Sequence, residues 1–133
     1  MNPTLILVFV AMVQVTAYQS VQSQTDDSPR VTSTGEYVGK HGMAVSRDLL
    51  DSGVVRYGDF MWIEDVGIRY VNDCLNDTKC IKRNADGHCL ERAKITKQID
   101  LWVPNLSEED YVWKKFKNRK VKMWRIRITK SRT

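Results

Sequence analysis

Apolar and polar positions along this chain alternate in short runs, the pattern of strands separated by turns. Val15-Thr16-Ala17-Tyr18 is β-branched and aromatic, as strands prefer. Met43-Ala44-Val45 is a second apolar run, and Ser46 to Asp51 reads as a single helical turn or a loop. Phe60 to Ile63 and Ile68 to Val71 flank a turn at Gly67 and predict a hairpin. Ile99 to Val103 is a further strand, stopped by Pro104. Ser107-Glu108-Glu109-Asp110 opens a short helix, with Ser107 as its N-cap and Tyr111, Val112 and Phe116 on its buried side. Val121 to Ile128 is the last strand, and the change of apolar phase near Trp124 predicts a bulge there. Gln19 to Arg30 is a polar loop, and Gly35, Gly39 and Gly42 punctuate the next stretch. Between Asp73 and Ile99 no period is readable, so this stretch reads as an insertion loop with a short helix around Leu90 to Lys94. The sum is a mainly β protein: a small closed barrel with one short helix.

Two stretches change that picture at its ends. Met1 to Gln14 carries no charge, and Leu5 to Val13 is almost wholly apolar. That is the length of a signal-peptide core and too short to cross a bilayer as a helix, so it predicts an exported chain with no transmembrane segment. The alternative is a buried first strand. From Lys114 to Arg132 there are ten Lys or Arg and no acid, within a net charge of +5. Such an end suits an anionic surface, or it is a solvated edge strand guarded against pairing. With 133 residues, 42% of them hydrophobic and 28% charged, the chain forms one ordinary domain and is not intrinsically disordered.

Cys74, Cys80 and Cys89 lie close together, with His88 beside the last. In an oxidising compartment two of the three form a local disulfide; free thiols are the second reading. Zinc is the third, because no C-x-x-C pair is present. No cofactor fingerprint or phosphate-binding loop occurs. The two histidines, His41 and His88, stand in no recognisable triad context. Asn76-Asp77-Thr78 and Asn105-Leu106-Ser107 are glycosylation sequons, which matter in a eukaryotic host only.

The strand Ile99-Asp100-Leu101-Trp102-Val103 carries the clearest chemistry. Alternation sends Ile99, Leu101 and Val103 to the core and puts Asp100 and Trp102 together on the other face. A carboxyl beside an indole suits sugar chemistry, since the acid protonates a glycosidic oxygen and the ring stacks on a sugar face. Asp73, at the end of the Ile68 strand, is a second carboxyl able to raise the pKa of its neighbour. The plain alternatives are a solvent-facing Asp100 and a turn-forming Asp73.

Four blocks, in order across residues 15–128, resemble the 3D (three-aspartate) domain family. The first is Val15-Thr16-Ala17-Tyr18 with Gln24 to Pro29 and Thr32 to Gly35. The second is Met43 to Leu50 with Tyr57-Gly58-Asp59. The third is Tyr70-Val71-Asn72-Asp73, and the fourth is Ile99-Asp100-Leu101-Trp102. The resemblance implies a six-stranded double-psi β-barrel over residues 15–128, with an apolar leader at 1–14, an insertion loop at 74–98 and a basic tail at 129–133. It implies peptidoglycan chemistry of the kind performed by lytic transglycosylases of bacteria and phages, with Asp100 as general acid and base and Asp73 as its companion. Substrate contacts then fall to Trp102, Ser46 and Asp48. Ser46 stands where the family has its first Asp, and Asp48 lies two residues on. The likeness begins at Val15, so a leader is cleaved near Gln14 or stays attached. Two functions follow as expectations: a glycan-cleaving enzyme of the cell wall, or a barrel that binds wall polymer or extracellular matrix without cutting it. Nucleic-acid binding by the basic end with Trp113 and Trp124 is a third class, and the predicted export points away from it.

Overall fold

The computed structural model describes residues 3–19 and 41–129. Most of the polar loop after Gln19, the glycines at 35 and 39, the blocks at 24–29 and 32–35, and the tail beyond Thr129 lie outside the described residues. Among the described residues, eight strands and two helices follow one another: β1 (Thr4–Tyr18), β2 (Gly42–Val45), α1 (Arg47–Asp51), β3 (Phe60–Ile63), β4 (Gly67–Cys74), β5 (Thr78–Arg83), β6 (Cys89–Lys94), β7 (Gln98–Trp102), α2 (Leu106–Phe116) and β8 (Lys120–Thr129).

Six of these strands close into a barrel in the order β1-β7-β2-β4-β3-β8. Two pairs are parallel, β1 with β7 and β2 with β4, and the other four are antiparallel. Exchanging β1 with β4, β2 with β7 and β3 with β8 leaves the ring order unchanged. Two three-stranded halves therefore interlock about a pseudo-twofold axis, the crossing that a double-psi barrel requires. Alternation fills the inside: Val13 and Val15, Met43 and Val45, Met61 and Ile63, Ile99 and Leu101, and Val121 and Met123 are all buried.

The apolar run Leu5–Val13 belongs to β1, which starts at Thr4 rather than Val15. Its first half pairs with the end of β8, Leu5 with Ile128 and Leu7 with Ile126, and Phe9 meets the Trp124 ring edge-on at 6.0 Å. The register slips between Phe9 and Ala11. The predicted bulge is thus beside Trp124, but the extra residue is Val10 on the partner strand. Because β8 is paired on both sides, by β1 and β3, the reading of it as an edge strand is corrected.

Residues 74–98 form no helix. Instead β5 and β6 make a separate two-stranded hairpin, closed by a Cys80–Cys89 disulfide that leaves Cys74 outside the cross-link. The segment expected to be helical, Leu90 to Lys94, lies within β6. A lone hairpin is marginal in water, so the cross-link supplies what a core would. Closing a loop of about ten residues contributes roughly 2–3 kcal/mol. Substituting Cys80 and Cys89 by Ser is expected to raise amide exchange across 78–94 by about 100-fold and to leave the barrel's melting temperature nearly unchanged. Loss of barrel stability would show instead that the hairpin braces the barrel.

α2 starts two residues earlier than its charges suggest. Asn105 is the N-cap, and its side chain accepts the Glu108 amide at 2.9 Å; Ser107 lies inside the helix. Val112 and Phe116 are buried, whereas Tyr111 faces outward beneath the Lys115 ammonium. Asn105→Ala is expected to lower stability by about 1 kcal/mol in urea titration. A Ser107→Ala loss of equal size would refute this cap. Among the described residues, no helix is long and apolar enough to cross a membrane.

Candidate functional site

One transverse row of the barrel wall gathers the polar side chains of interest. Thr16 on β1 pairs with Asp100 on β7, Asp100 pairs with Ala44 on β2, and Ala44 pairs with Asp73 on β4. Partners in a row point to the same side of a sheet, and Ile99 and Leu101 occupy the inside, so this row faces outward. Asp73 reaches the row through a bulge: Met43 pairs with Val71, yet Ala44 pairs with Asp73, leaving Asn72 as the extra residue. Asn72 is buried against Gly42, where a β-carbon would meet the Asn72 side chain at 2.9 Å. Gly42 is thus a close-approach position, and any larger residue there would disturb the bulge.

Asp100 is recessed rather than solvent-facing. Its Oδ1 accepts a hydrogen bond from Thr16 Oγ1 at 2.9 Å, and Thr16 in turn accepts from Gln98 Nε2 at 3.2 Å. Burial raises its pKa from 3.8 to about 7; the Thr16 bond opposes this, and the charges of Glu109 and Asp73 add to it. Such a carboxyl is close to half-protonated at neutral pH, so it can give a proton in one step and take one in the next. Asp73, two strands away at about 10 Å in the row, accepts the Cys74 amide on its own Oδ1 at 2.9 Å.

Around this pair stand groups that strand patterns had not singled out. Tyr18, on the Thr16 face of β1, is buried, and burial, Asp73 and Asp100 push its phenol well above the usual range while Arg69 opposes them. Gln19 Nε2 donates to Glu109 Oε2 at 2.9 Å, tying the first turn of α2 to the end of β1. Arg69 donates to the carbonyl oxygens of Trp102 at 3.0 Å and Gly42 at 3.4 Å, and burial lowers its pKa. Alternation within Val15–Tyr18 was the available signal for Thr16 and Tyr18. Nothing local marks Glu109, which looks like one more acid of a helix start.

Trp102 shares the outer face of β7 with Asp100, about 7 Å farther along the strand. It lines an open groove of about 930 Å³ with Phe60, Trp62, Ile68, Tyr70, Arg69, Glu108 and others. Phe60 and Tyr70 lie side by side with ring centroids 5.3 Å apart, and Phe60, Trp62 and Ile68 are all exposed. The groove is therefore an aromatic floor with one cation and one acid at its rim. Asp100 and Asp73 stand beside it and do not line it.

Ser46 and Asp48 are elsewhere. Ser46 is fully buried, and its hydroxyl accepts the Gln98 amide at 3.0 Å. Asp48 accepts the Lys97 amide through both carboxylate oxygens, at 3.0 and 3.2 Å, and so holds Lys97 at its φ of 45°. Both residues clamp the start of β7 to α1. No group of His, Cys, Asp and Glu among the described residues is arranged to hold a metal ion. No protein-family model and no curated protein matches this chain.

Proposed function

We propose that this protein acts on cell-wall glycan as a lytic transglycosylase-like enzyme, with Asp100 as general acid and then base. The carrying observation is a recessed carboxyl with a pKa of about 7, on the same strand face as a tryptophan that opens onto an aromatic groove. Exposed flat rings suit the apolar faces of sugars, and Arg69 and Glu108 suit their hydroxyl and amide groups. Protonated Asp100 gives its proton to the glycosidic oxygen as the C1–O bond breaks and positive charge develops at the sugar ring. The resulting carboxylate takes the proton of the sugar's own C6 hydroxyl as that oxygen closes on C1. The product is an anhydro sugar, no water is consumed, and Asp100 is protonated again. Asp73 and Glu109, which act electrostatically on Asp100, add stabilisation to the developing cation. Export, and an anionic surface met by the basic β8 strand, belong to the same reading.

Zymography on peptidoglycan, with mass analysis of the soluble products, tests this. The parent chain is expected to release anhydro-muropeptides, and Asp100→Asn to lose at least about 100-fold in rate. Equal clearing by both proteins would remove Asp100 from the mechanism.

A second reading is a barrel that holds wall polymer without cutting it. Ser46 favours it, because a fully buried hydroxyl bonded to Gln98 stands where the resembling family carries its first acid. Co-sedimentation with purified wall and no soluble product would support that reading, and anhydro-muropeptides in the supernatant would end it.

A further inference from the structure

The outer face of the barrel carries an apolar surface that the proposed chemistry leaves unused over most of its extent. β1 and β8 run on together past their other neighbours: β7 joins β1 only from Gln14, and β3 joins β8 only from Met123 to Arg125. Thr4 to Phe9 with Trp124 to Thr129 thus form a ribbon, most of it without a third strand. Val121 and Met123 point into the core, so alternation turns Trp124, Ile126 and Ile128 outward, and their partners Phe9, Leu7 and Leu5 turn with them. All of these positions are apolar. The row continues across the sheet, from Phe9 to Trp124 to Trp62 to Ile68. Leu5, Leu7, Phe9, Trp62, Ile68 and Ile128 are 43% to 68% exposed. A contiguous apolar face on a ribbon too thin to have a core of its own marks a surface that something covers.

We propose that this face docks on an anionic lipid bilayer, with the ribbon lying along its surface. The charges beside it select that occupant. Lys120 and Lys122 are exposed on the same outer face of β8 as Trp124, Ile126 and Ile128, and Arg127 is exposed on the ribbon's other face. Neither strand of the ribbon contains an acid. Glu64 meets this edge, its Oε1 accepting the Lys122 amide at 3.0 Å, and offsets one of the three cations. Apolar side chains and indoles that enter the headgroup boundary, with cations beside them at the lipid phosphates, are the combination that anionic bilayers take up. A soluble polyanion would meet the cations and leave the rings in water. A second copy of this chain would cover the rings, but a two-fold pairing through this face sets each copy's cations against the same cations of the other. Six strand residues extend about 20 Å, less than the roughly 30 Å of a hydrocarbon core, so the ribbon lies in the interface and does not cross. The inference goes beyond the glycan chemistry and does not need Asp100; it rests on that reading only for the anionic surface met by β8, and it makes that surface lipid. Trp62 and Ile68 belong both to the row and to the aromatic groove, so the groove opens beside the bilayer.

Co-sedimentation of the full chain with vesicles of phosphatidylglycerol and phosphatidylcholine in equal parts tests this. The parent chain is expected to partition onto them at low salt, to bind vesicles of phosphatidylcholine alone at least about 10-fold more weakly, and to be released as salt rises. Leu7→Glu sets a charge in the middle of the apolar face and is expected to weaken partitioning by about 100-fold. Lys120→Glu combined with Lys122→Glu is expected to weaken it by about 10- to 100-fold. All three sites are on the surface, so melting temperatures are expected to stay near that of the parent. A parent chain that ignores the vesicles would overturn the proposal, as would equal binding to neutral and anionic vesicles, or binding that neither variant changes. A lipid-free parent that sediments as a dimer, and that Leu7→Glu makes monomeric, would assign the face to a second copy and overturn it too. Retention on purified wall that Leu7→Glu leaves intact, without vesicle binding, would give the cations to a wall polyanion instead. The glycan reading is judged apart, because release of anhydro-muropeptides from lipid-free peptidoglycan is expected to be equal for the parent and Leu7→Glu. A parent chain that binds vesicles and releases nothing defeats the glycan reading alone.

Discussion

Asp100→Asn is expected to melt roughly 10 °C above the parent chain at pH 8 and at nearly the same temperature at pH 4. The carboxyl's pKa rises from 3.8 in the unfolded chain to about 7 in the fold. The ionised form is therefore disfavoured by folding. Below the unfolded value both states are protonated, and Asp100 has no effect on stability through its charge. As pH climbs towards 7 the unfolded chain releases the proton while the folded one keeps it, and stability falls; above about 7 the loss is complete. A shift of that size corresponds to a ceiling of about 4 kcal/mol. Asn keeps the shape and offers Thr16 the same acceptor, so roughly 2–4 kcal/mol is recovered, or about 3–4 °C per kcal/mol in a chain of this length. Melting curves of both proteins from pH 4 to pH 8 measure the difference directly. A difference that does not vary with pH would show that Asp100 is not held away from its charged form. If Asp100→Asn also loses the proposed glycan cleavage, the gain in stability identifies a carboxyl kept at the expense of the fold.

Much of the architecture was readable because alternation is strong where one strand face is core. Ile99, Leu101 and Val103 are buried with Asp100 and Trp102 on the other side, and the Phe60–Ile63 and Ile68–Val71 hairpin is in place. The reading fails where no core imposes a period. The strands Thr78–Arg83 and Cys89–Lys94 are exposed on both faces, so their side chains alternate without an apolar signature, and a cross-link does the work of packing. The opposite failure affects Leu5 to Val13. A strand apolar on both faces has no period either, and its partners are more than 100 residues away in β8. The cap of α2 was misplaced because Asn105 and Ser107 are equally good capping types; only backbone geometry separates them.

The site was legible in part for the same reason. Strand phase puts Asp100 and Trp102 together, but the row that joins Asp100 to Asp73 depends on the extra residue Asn72 in β4, and no local pattern announces it. Besides Asp73, the charge of Glu109 raises the pKa of Asp100; α2 brings it over and Gln19 holds it, a contact across 90 positions. Ser46 and Asp48 lie near the row in sequence but turn to the Lys97–Gln98 backbone, because α1 begins there.

Since α2 carries Glu109 to the acid row, its anchorage decides both stability and site geometry. Phe116 is that anchor. It is 2% exposed within the core, and its carbonyl accepts Gln14 Nε2 at 3.0 Å. The Lys115 ammonium and Arg119 guanidinium lie 5.4 and 5.5 Å from the ring centroid. Phe116→Ala leaves a cavity between helix and barrel and is expected to cost about 3–5 kcal/mol. In a domain of this size that is a large share of all the stability there is. Trp113 is a larger ring on the same helix, but it is 52% exposed, and Trp113→Ala is expected to change stability by less than about 0.5 kcal/mol. Urea titrations with equal slopes for the three proteins make the comparison clean. Comparable losses at 113 and 116 would mean that α2 packs through a different face. In that case Gln19 and Glu109 would not meet at the end of β1, and the Glu109 charge would no longer add to the effect of burial on the Asp100 carboxyl.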